Sequence, residues 1–151
     1  MSRGVYILII EVVNDSDIDV GALGTVKLRH GTWLYVGSAM GTGSSSLEGR
    51  IRRHLSRDKK MHWHIDRLVP GYGSVRAVVS AWTPIPTERR IAAALRDDPN
   101  IQPGPVGFGC SDMGGRSSTH LYRVVDGTDP ISLSVRVLTE LGMSAEVRIL
   151  S

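Results

Sequence analysis

The segment 47–55, LEGRIRRHL, carries cationic side chains of the kind that bind phosphate groups. If this segment is a helix, its leucines and isoleucine recur every four residues and form one apolar stripe. Arg50 and His54 then lie on the margin of that stripe, whereas Arg52 points into solvent. The helix could therefore hold an anion at the edge of the core. The alternative is that Arg50 covers the core with its aliphatic stem and that His54 is a hydrogen-bonded boundary residue.

A loop rich in glycine and serine, MGTGSSS at 40–46, precedes this segment. Backbone N–H groups in such a loop can approach an anion, and the N-terminus of the following helix adds partial positive charge. Ser46 is of a suitable type for the helix N-cap. The loop lacks the Gly-Lys-Ser/Thr ending of a Walker loop, so it does not by itself identify a nucleotide-binding protein. One alternative is therefore a domain that binds a small phosphorylated ligand through this loop.

Glu88 opens a second amphipathic segment, TERRIAAALRDD at 87–98, for which Thr87 is the predicted N-cap. Glu88 lies three residues before the isoleucine and seven before the leucine, and therefore on the apolar face of this helix. A carboxylate in such a position is costly to bury unless it is paired or bound to a metal. The alternative is a first-turn acid that interacts with the helix dipole.

The composition is that of an ordinary soluble domain, and we predict a single domain over residues 1–151. The chain is 41% hydrophobic and 22% charged, with a net charge of +3. This mild charge excludes a protein that holds DNA through bulk charge, so nucleic-acid binding would depend on local clusters. The single Cys110 cannot form an internal disulfide, which favours the cytoplasm. The apolar segment 4–13 is too short to cross a bilayer, which takes about 20 residues, and we expect no membrane partner.

The elements that must position these residues follow from periodicity and from turn residues. Strands are predicted at 4–13, at 24–39 as a hairpin that turns at His30-Gly31, at 74–82 and at 119–126. Helices are predicted at 46–57, 61–69, 87–98 and 131–142, with a long glycine- and proline-rich loop at 100–118. This order predicts an α+β fold, a small central, mainly antiparallel sheet flanked by helices.

Two tripeptides carry a family resemblance. Gly4-Val5-Tyr6 opens the first predicted strand, and Tyr35-Val36-Gly37 stands just ahead of the arginine-rich helix. Followed by the polar loop and LEGRIRRHL, they resemble the two motifs of the GIY-YIG nuclease superfamily, with valine for isoleucine at both middle positions. The resemblance covers residues 4–97 and leaves a C-terminal extension, 98–151. The segments HWHIDRLV, 62–69, and GFGCSD with SSTHLYRV, within 107–124, resemble a little-characterised prokaryotic branch of the superfamily.

The resemblance implies a small antiparallel sheet among helices and a metal-dependent endonuclease. One divalent ion, Mg²⁺ or Mn²⁺, would support hydrolysis of a DNA phosphodiester in damaged or branched DNA. The mild net charge of +3 adds the expectation that a protein partner supplies the targeting. The main alternative is a catalytically silent nucleic-acid-binding module of the same fold.

The resemblance also implies roles for single residues. Tyr6 and Tyr35 match the motif tyrosines, one of which activates or orients the attacking water. Arg50 matches the arginine that contacts the scissile phosphate, and His54 matches a histidine of the homing-endonuclease members. Glu88 matches the glutamate that binds the metal. The other residues expected to contact DNA are Gly37, Ser38, Arg53, Arg57, His62 and His120.

The sequence departs from the superfamily pattern in two places. The separation of Tyr6 from Tyr35 is longer than usual, which predicts an insertion around NDSDIDVGALG at 14–24. The late asparagine of the superfamily has no match, because Asn100 stands in a proline- and glycine-rich loop. The side chains that could occupy that corner of the site are His120, Ser118 and Asp112.

The segment MHWHIDRLV, 61–69, offers a different chemistry. His62 and His64 are two residues apart, but neither a CxxC nor an HxxxH spacing is present, which argues against a structural zinc site. We expect His62 to face the cleft near His54 and His64 to be a surface or capping residue. Asp66 and Arg67 are predicted to form a surface pair.

Overall fold

The computed structural model describes residues 3–56, 64–69, 71–105, 108 and 119–150. The strands of this part of the chain are β1 (Gly4–Val12), β2 (Ser16–Asp19), β3 (Thr25–Leu28), β4 (Gly31–Ala39), β5 (Ser74–Trp82), β6 (Ile101–Pro103), β7 (Leu121–Val124) and β8 (Glu146–Ile149). The α-helices are α1 (Leu47–Leu55), α2 (Glu88–Arg96) and α3 (Pro130–Glu140). Short 3₁₀ turns lie at Gly21–Leu23, Gly43–Ser45 and His64–Arg67.

The larger of two sheets has the strand order β6-β7-β4-β1-β5-β8, and every neighbouring pair is antiparallel. Strand β1 lies inside the sheet because it is apolar on both faces, and all of its residues except Glu11 are buried. The predicted α+β class is confirmed. Strands β6, β7 and β8 come from residues 98–151, so the C-terminal extension is built into the same sheet as the motif region.

The predicted hairpin over 24–39 is wrong. Strand β3 pairs with β2 in a separate two-stranded sheet, whereas β4 pairs with β1 and β7. The burial patterns give the reason: β4 is buried over most of its length and needs a neighbour on each side, while β3 alternates exposed and buried residues. The predicted insertion at 14–24 supplies β2 and a 3₁₀ turn.

Two hydrophobic cores cover the two faces of the large sheet. Alternate residues of β1 point to opposite faces, with Tyr6, Leu8 and Ile10 on one and Val5, Ile7 and Ile9 on the other. Helix α1 and the β2–β3 sheet cover the first face, and helices α2 and α3 cover the second. Both motif tyrosines therefore lie on the face that packs against α1.

The helices agree with the predicted segments to within two residues, except at 61–69. In that segment the described residues form a 3₁₀ turn at His64–Arg67, and residues 61–63 lie outside the described part of the chain. Ser46 caps α1 as predicted, since its hydroxyl accepts a hydrogen bond from the Gly49 N–H at 3.1 Å. Thr87 occupies the N-cap position of α2 without a capping side-chain bond. Within the described ranges, no helix has the length and apolar character needed to span a membrane.

Asp98 joins the end of α2 to α3. Its carboxylate accepts hydrogen bonds from the Asn100 N–H at 2.8 Å and from Arg136 at 2.5 Å. Burial by itself would raise the pKa of Asp98, but these donors outweigh it and hold the pKa below its ordinary value. Such a carboxyl stabilises the fold above its unfolded-state pKa, and this contribution disappears as the pH falls through the folded-state pKa.

We therefore expect wild-type protein to lose more free energy of unfolding between about pH 6 and about pH 3 than the Asp98→Asn variant does. Urea denaturation at a series of pH values measures this difference. Asp97→Asn is the matched control, because the Asp97 side chain is 77% exposed. Equal acid sensitivity of wild type and Asp98→Asn would show that these hydrogen bonds contribute nothing to acid stability.

Candidate active site

The two motif tripeptides meet at one end of the large sheet. Because β1 and β4 are antiparallel, the start of β1 lies beside the end of β4, with Gly4 opposite Ala39 and Tyr6 opposite Gly37. Tyr6 and Tyr35 lie on the same face of the sheet, which α1 crosses. Tyrosines that are far apart in the sequence thus come together with the cationic helix.

Both tripeptides need their glycine because a Cβ atom would not fit at either position. Neither has a positive φ, but a Cβ at Gly37 would overlap the Cζ and hydroxyl oxygen of Tyr6. A Cβ at Gly4 would overlap the backbone carbonyl of Ala81 on β5. The glycine of each tripeptide therefore lets a neighbour approach closely, and Gly37 in particular makes room for the Tyr6 ring.

A methyl group at Gly37 is expected to displace the Tyr6 ring and to break its hydrogen bond with His54. We expect Gly37→Ala to fold with a loss of about 1–3 kcal/mol in the free energy of unfolding, the usual range for overpacking. Gly71→Ala is the control, because Gly71 is exposed and a Cβ there meets nothing within 4 Å. Chemical denaturation and the near-ultraviolet tyrosine signal measure both variants. Equal stability of the two variants would mean that Tyr6 does not need the space.

Tyr6 and His54 form a buried hydrogen-bonded pair. The Tyr6 hydroxyl lies 2.7 Å from Nε2 of His54, and each side chain is 2% exposed. The ring centroid of Tyr35 lies 6.0 Å from that of His54, with the rings nearly perpendicular. His54 is therefore in contact with both motif tyrosines.

Burial controls the ionisation of the two phenols. It raises the pKa of Tyr6 above its ordinary value, although the charge of Arg50 and a hydrogen bond from Arg50 act in the opposite direction. Burial likewise raises the pKa of Tyr35 well above its ordinary value, with smaller contributions from Tyr6 and Glu88. Both phenols are therefore neutral near pH 7. To accept a proton, a phenol must pass its own proton to a hydrogen-bonded neighbour.

The side chains of α1 have different neighbours according to their position around the helix. Arg50 is half-buried on the margin of the apolar stripe and Arg52 is exposed, as the helical pattern predicted. Arg53 donates two hydrogen bonds of 2.9 Å to the two carboxylate oxygens of Asp66. The predicted surface pair of Asp66 with Arg67 is wrong, since the 3₁₀ turn at His64–Arg67 packs Asp66 against α1 with its side chain fully buried.

Glu88 approaches the tyrosines from the opposite side of the sheet. It is the first residue of α2, its side chain is 22% exposed, and the following Arg89 is exposed to solvent. Although α2 packs on the other face from α1, the carboxylate is close enough to raise the pKa of both phenols, after the larger effect of burial. The structure thus places Glu88 at the same end of the sheet as Tyr6 and Tyr35.

His120 lies beside Glu88, just before β7. Its Nδ1 is 3.9 Å from a carboxylate oxygen of Glu88, and its side chain is 3% exposed. Burial lowers the pKa of His120, and the Glu88 charge opposes this effect only in part. The backbone carbonyl of His120 accepts a hydrogen bond of 3.0 Å from the Val36 N–H. This bond attaches His120 to the second motif tripeptide.

Phe108 is a residue of this region that the sequence analysis did not identify. Its ring centroid lies 6.2 Å from that of Tyr35, and its carbonyl accepts a hydrogen bond of 2.9 Å from the His120 N–H. Phe108 is the single phenylalanine of the chain and stands in the loop predicted to be rich in glycine and proline. A large aromatic residue in such a loop is the sequence feature that could have identified it as buried. His64, expected at the surface, is half-buried and lies 5.5 Å from Phe108 between ring centroids.

The other predicted site residues divide into two groups. Ser38 is half-buried on β4, and Asn100 lies in the turn between α2 and β6, where its carbonyl accepts a hydrogen bond from the Val125 N–H. The residues that lie outside the described part of the chain are Arg57, His62, Asp112 and Ser118. No cluster of three or more histidine, cysteine, aspartate or glutamate side chains suited to a metal occurs among the residues the structure describes.

The fold and this end of the sheet define an α+β protein with a buried tyrosine–histidine cluster beneath an arginine and beside a half-buried glutamate. Over residues 5–143, the sequence matches the model of a family described as a domain of unknown function, DUF123, and the chain belongs to that family. No curated protein and no solved structure matches the chain.

Proposed function

We propose that this protein is a metal-dependent DNA endonuclease of the GIY-YIG type. The observation that supports this most is the hydrogen bond between Tyr6 and His54, with Arg50 within hydrogen-bonding reach of the same phenol. Glu88 adds a carboxylate at the same end of the sheet, close enough to influence both tyrosines. A metal-dependent phosphodiesterase needs a proton acceptor, a cation for the phosphate and a ligand for a metal ion, and this cluster offers a candidate for each.

Arg50 would contact the scissile phosphate. The transition state of phosphodiester hydrolysis gathers negative charge on the phosphate oxygens, and a guanidinium can donate two parallel hydrogen bonds to them. Arg50 is half-buried beside the phenol of Tyr6. The surrounding core therefore restricts the orientation of the Arg50 guanidinium. As a result, this side chain needs little rearrangement when the substrate binds.

Tyr6 and His54 would move the proton of the attacking water. As the water gives its proton to the phenol oxygen of Tyr6, the phenol gives its own proton to Nε2 of His54, which becomes an imidazolium. The resulting hydroxide forms the new bond to phosphorus, the bond from phosphorus to the leaving oxygen breaks, and the leaving oxygen takes a proton from a solvent water. The distance of 2.7 Å suits this transfer. This coupled transfer of two protons suits a buried phenol with a raised pKa, because the Tyr6 oxygen never carries a full negative charge.

Glu88 would hold the divalent ion. A carboxylate, several waters and a substrate phosphate are sufficient for Mg²⁺ or Mn²⁺, so a partly exposed carboxylate at the rim of the cluster suits the role. Once bound, the ion would supply positive charge to the phosphate oxygens during hydrolysis. The protein's part is to keep this carboxylate at the same end of the sheet as Arg50 and Tyr6.

Nicking of a supercoiled plasmid tests the proposal. We expect wild-type protein to nick DNA with Mg²⁺ or Mn²⁺ and to stop when EDTA is added. Glu88→Gln and Arg50→Ala should each lower the rate by about a hundredfold or more, the effect of removing one transition-state contact. Arg52→Ala is the control, because Arg52 lies on the same helix but is exposed. Circular dichroism shows whether each variant is folded.

Two results would contradict the endonuclease. Salt-dependent DNA binding that survives Glu88→Gln, without cleavage of linear, nicked or branched DNA, would instead indicate a silent binding module. Absence of DNA binding at low salt would leave a protein that binds a small phosphorylated ligand through Arg50 and the loop before α1.

A further inference from the structure

We propose that His120 is a second protein ligand for the divalent ion, next to Glu88, and that it makes the site prefer Mn²⁺ to Mg²⁺. This inference rests on the proposed metal-dependent function. It assigns to His120 a direct bond to the ion instead of a contact with DNA.

The first argument is the environment of the imidazole. The His120 side chain is 3% exposed, and its Nδ1 has no hydrogen-bond partner among the residues that the structure describes. A buried polar atom without a partner destabilises a fold, so native proteins retain few of them. Binding of an ion would satisfy Nδ1, which makes the cost of its burial understandable.

The second argument is the separation of Nδ1 from the Glu88 carboxylate. Nδ1 lies 3.9 Å from Oε2 of Glu88, which is too long for a hydrogen bond. Two ligand atoms that each lie about 2.1 Å from one ion are separated by about 3 Å to about 4 Å, according to the angle between them. The nitrogen and the carboxylate oxygen are therefore about 1 Å further apart than two neighbouring ligands of an octahedral ion, a difference that a small rotation of the half-buried Glu88 side chain would close.

The third argument is that the backbone of His120 is held on both sides. Its N–H donates to the carbonyl of Phe108 at 2.9 Å, and its carbonyl accepts from the Val36 N–H at 3.0 Å. Val36 is the middle residue of the motif tripeptide that ends at Gly37. Such outer contacts orient a metal ligand before the ion binds.

The chemistry of the donors gives the metal preference. Mg²⁺ takes oxygen ligands almost exclusively. Mn²⁺ also favours oxygen, but as a first-row transition ion it binds an imidazole nitrogen better than Mg²⁺ does, although less strongly than Zn²⁺ or Cu²⁺. One carboxylate and one imidazole leave the remaining positions for waters and a phosphate oxygen. We therefore expect the free protein to bind Mn²⁺ more tightly than Mg²⁺.

Pulsed electron paramagnetic resonance of Mn²⁺ added to the protein over residues 1–151, without DNA, tests the direct bond. We expect the bound Mn²⁺ to show coupling to a ¹⁴N nucleus in the wild type and to lose it in His120→Ala. His30→Ala should retain the coupling, because His30 is an exposed histidine paired with Asp15. Bound Mn²⁺ without nitrogen coupling in the wild type would overturn the inference, and this result requires no variant to fold.

Isothermal titration of Mn²⁺ and Mg²⁺ tests the preference. His120→Ala should weaken Mn²⁺ binding by about tenfold or more and change Mg²⁺ binding much less. His120→Asn, which can place an oxygen near the position of Nδ1, should reduce the ratio of Mn²⁺ to Mg²⁺ affinity. An unchanged ratio in both variants, if they are folded, would overturn the role of His120.

The outcomes separate this inference from the proposed function. If Glu88→Gln abolishes Mn²⁺ binding and nicking while His120→Ala leaves the Mn²⁺ affinity unchanged, the endonuclease stands and His120 is not a ligand. If the wild type nicks DNA in the presence of EDTA, the metal-dependent proposal fails, and the inference about His120 fails with it.

Discussion

Replacement of Tyr6 by phenylalanine is expected to lower kcat for DNA cleavage by about 10²- to 10⁴-fold, the usual contribution of a positioned proton-transfer group. The variant keeps the ring that fills the core and loses only the hydroxyl that lies 2.7 Å from His54. Substrate affinity should change little, because the phosphate would still be bound by Arg50. Single-turnover cleavage together with fluorescence anisotropy of labelled DNA measures the two effects separately.

Tyr122→Phe is the matched control for this prediction. Tyr122 is equally buried, but its hydroxyl donates to the carbonyl of Ala92 on the opposite face of the sheet. Its loss should cost about 0.5–1.5 kcal/mol of folding free energy, as for an ordinary hydrogen bond, and should leave cleavage unchanged. If Tyr6→Phe cleaves within about threefold of wild type, Tyr6 does not transfer the proton and the proposed relay is wrong.

Replacement of Asp66 by alanine is expected to lower the free energy of unfolding by about 3–5 kcal/mol, the range for breaking a buried ion pair. The Asp66 side chain is fully buried and accepts two hydrogen bonds from Arg53, whose side chain is 25% exposed. Alanine leaves this guanidinium without its carboxylate in a poorly solvated place. Urea denaturation monitored by circular dichroism measures the loss.

The pair of Arg76 with Glu11 provides the comparison, because these side chains are 46% and 48% exposed. Glu11→Ala should cost less than about 1 kcal/mol, as for exposed ion pairs. The double variant Arg53→Met with Asp66→Leu should recover part of the stability, because apolar side chains can replace a buried pair. A loss in Asp66→Ala no larger than that in Glu11→Ala would show that the Arg53–Asp66 pair does not hold α1 in place.

Much of the secondary structure follows from local patterns. The continuous apolar run of β1 predicted a buried strand, and the structure buries it on both faces. The four-residue spacing of LEGRIRRHL predicted a helix with Arg50 and His54 at the margin of the core; Arg50 is half-buried there, whereas His54 is buried. The same reasoning placed Glu88 on the inner side of α2, where it is half-buried. These properties depend on the side chains of one segment and on the period of its backbone.

Strand pairing was less accessible. The pattern of 24–39 predicted two strands, but their partners proved to be β2 for one and β1 with β7 for the other. A strand shows by its composition how many of its faces are buried, while its neighbours depend on the rest of the sheet. The extra strands β6 and β8 are short, and the sequence offered little to distinguish them from loops.

By itself, then, the sequence determined most of the longer helices and strands, the apolar face of helices α1 and α2, and which side chains could take part in phosphodiester chemistry. The tertiary structure alone decided that Arg53 pairs with Asp66, that Phe108 packs on Tyr35, and that His120 faces Glu88. The reason is physical. The periodicity of apolar residues reflects the geometry of one or two turns of backbone, whereas these contacts join segments whose separation in space is set by the packing of the whole sheet.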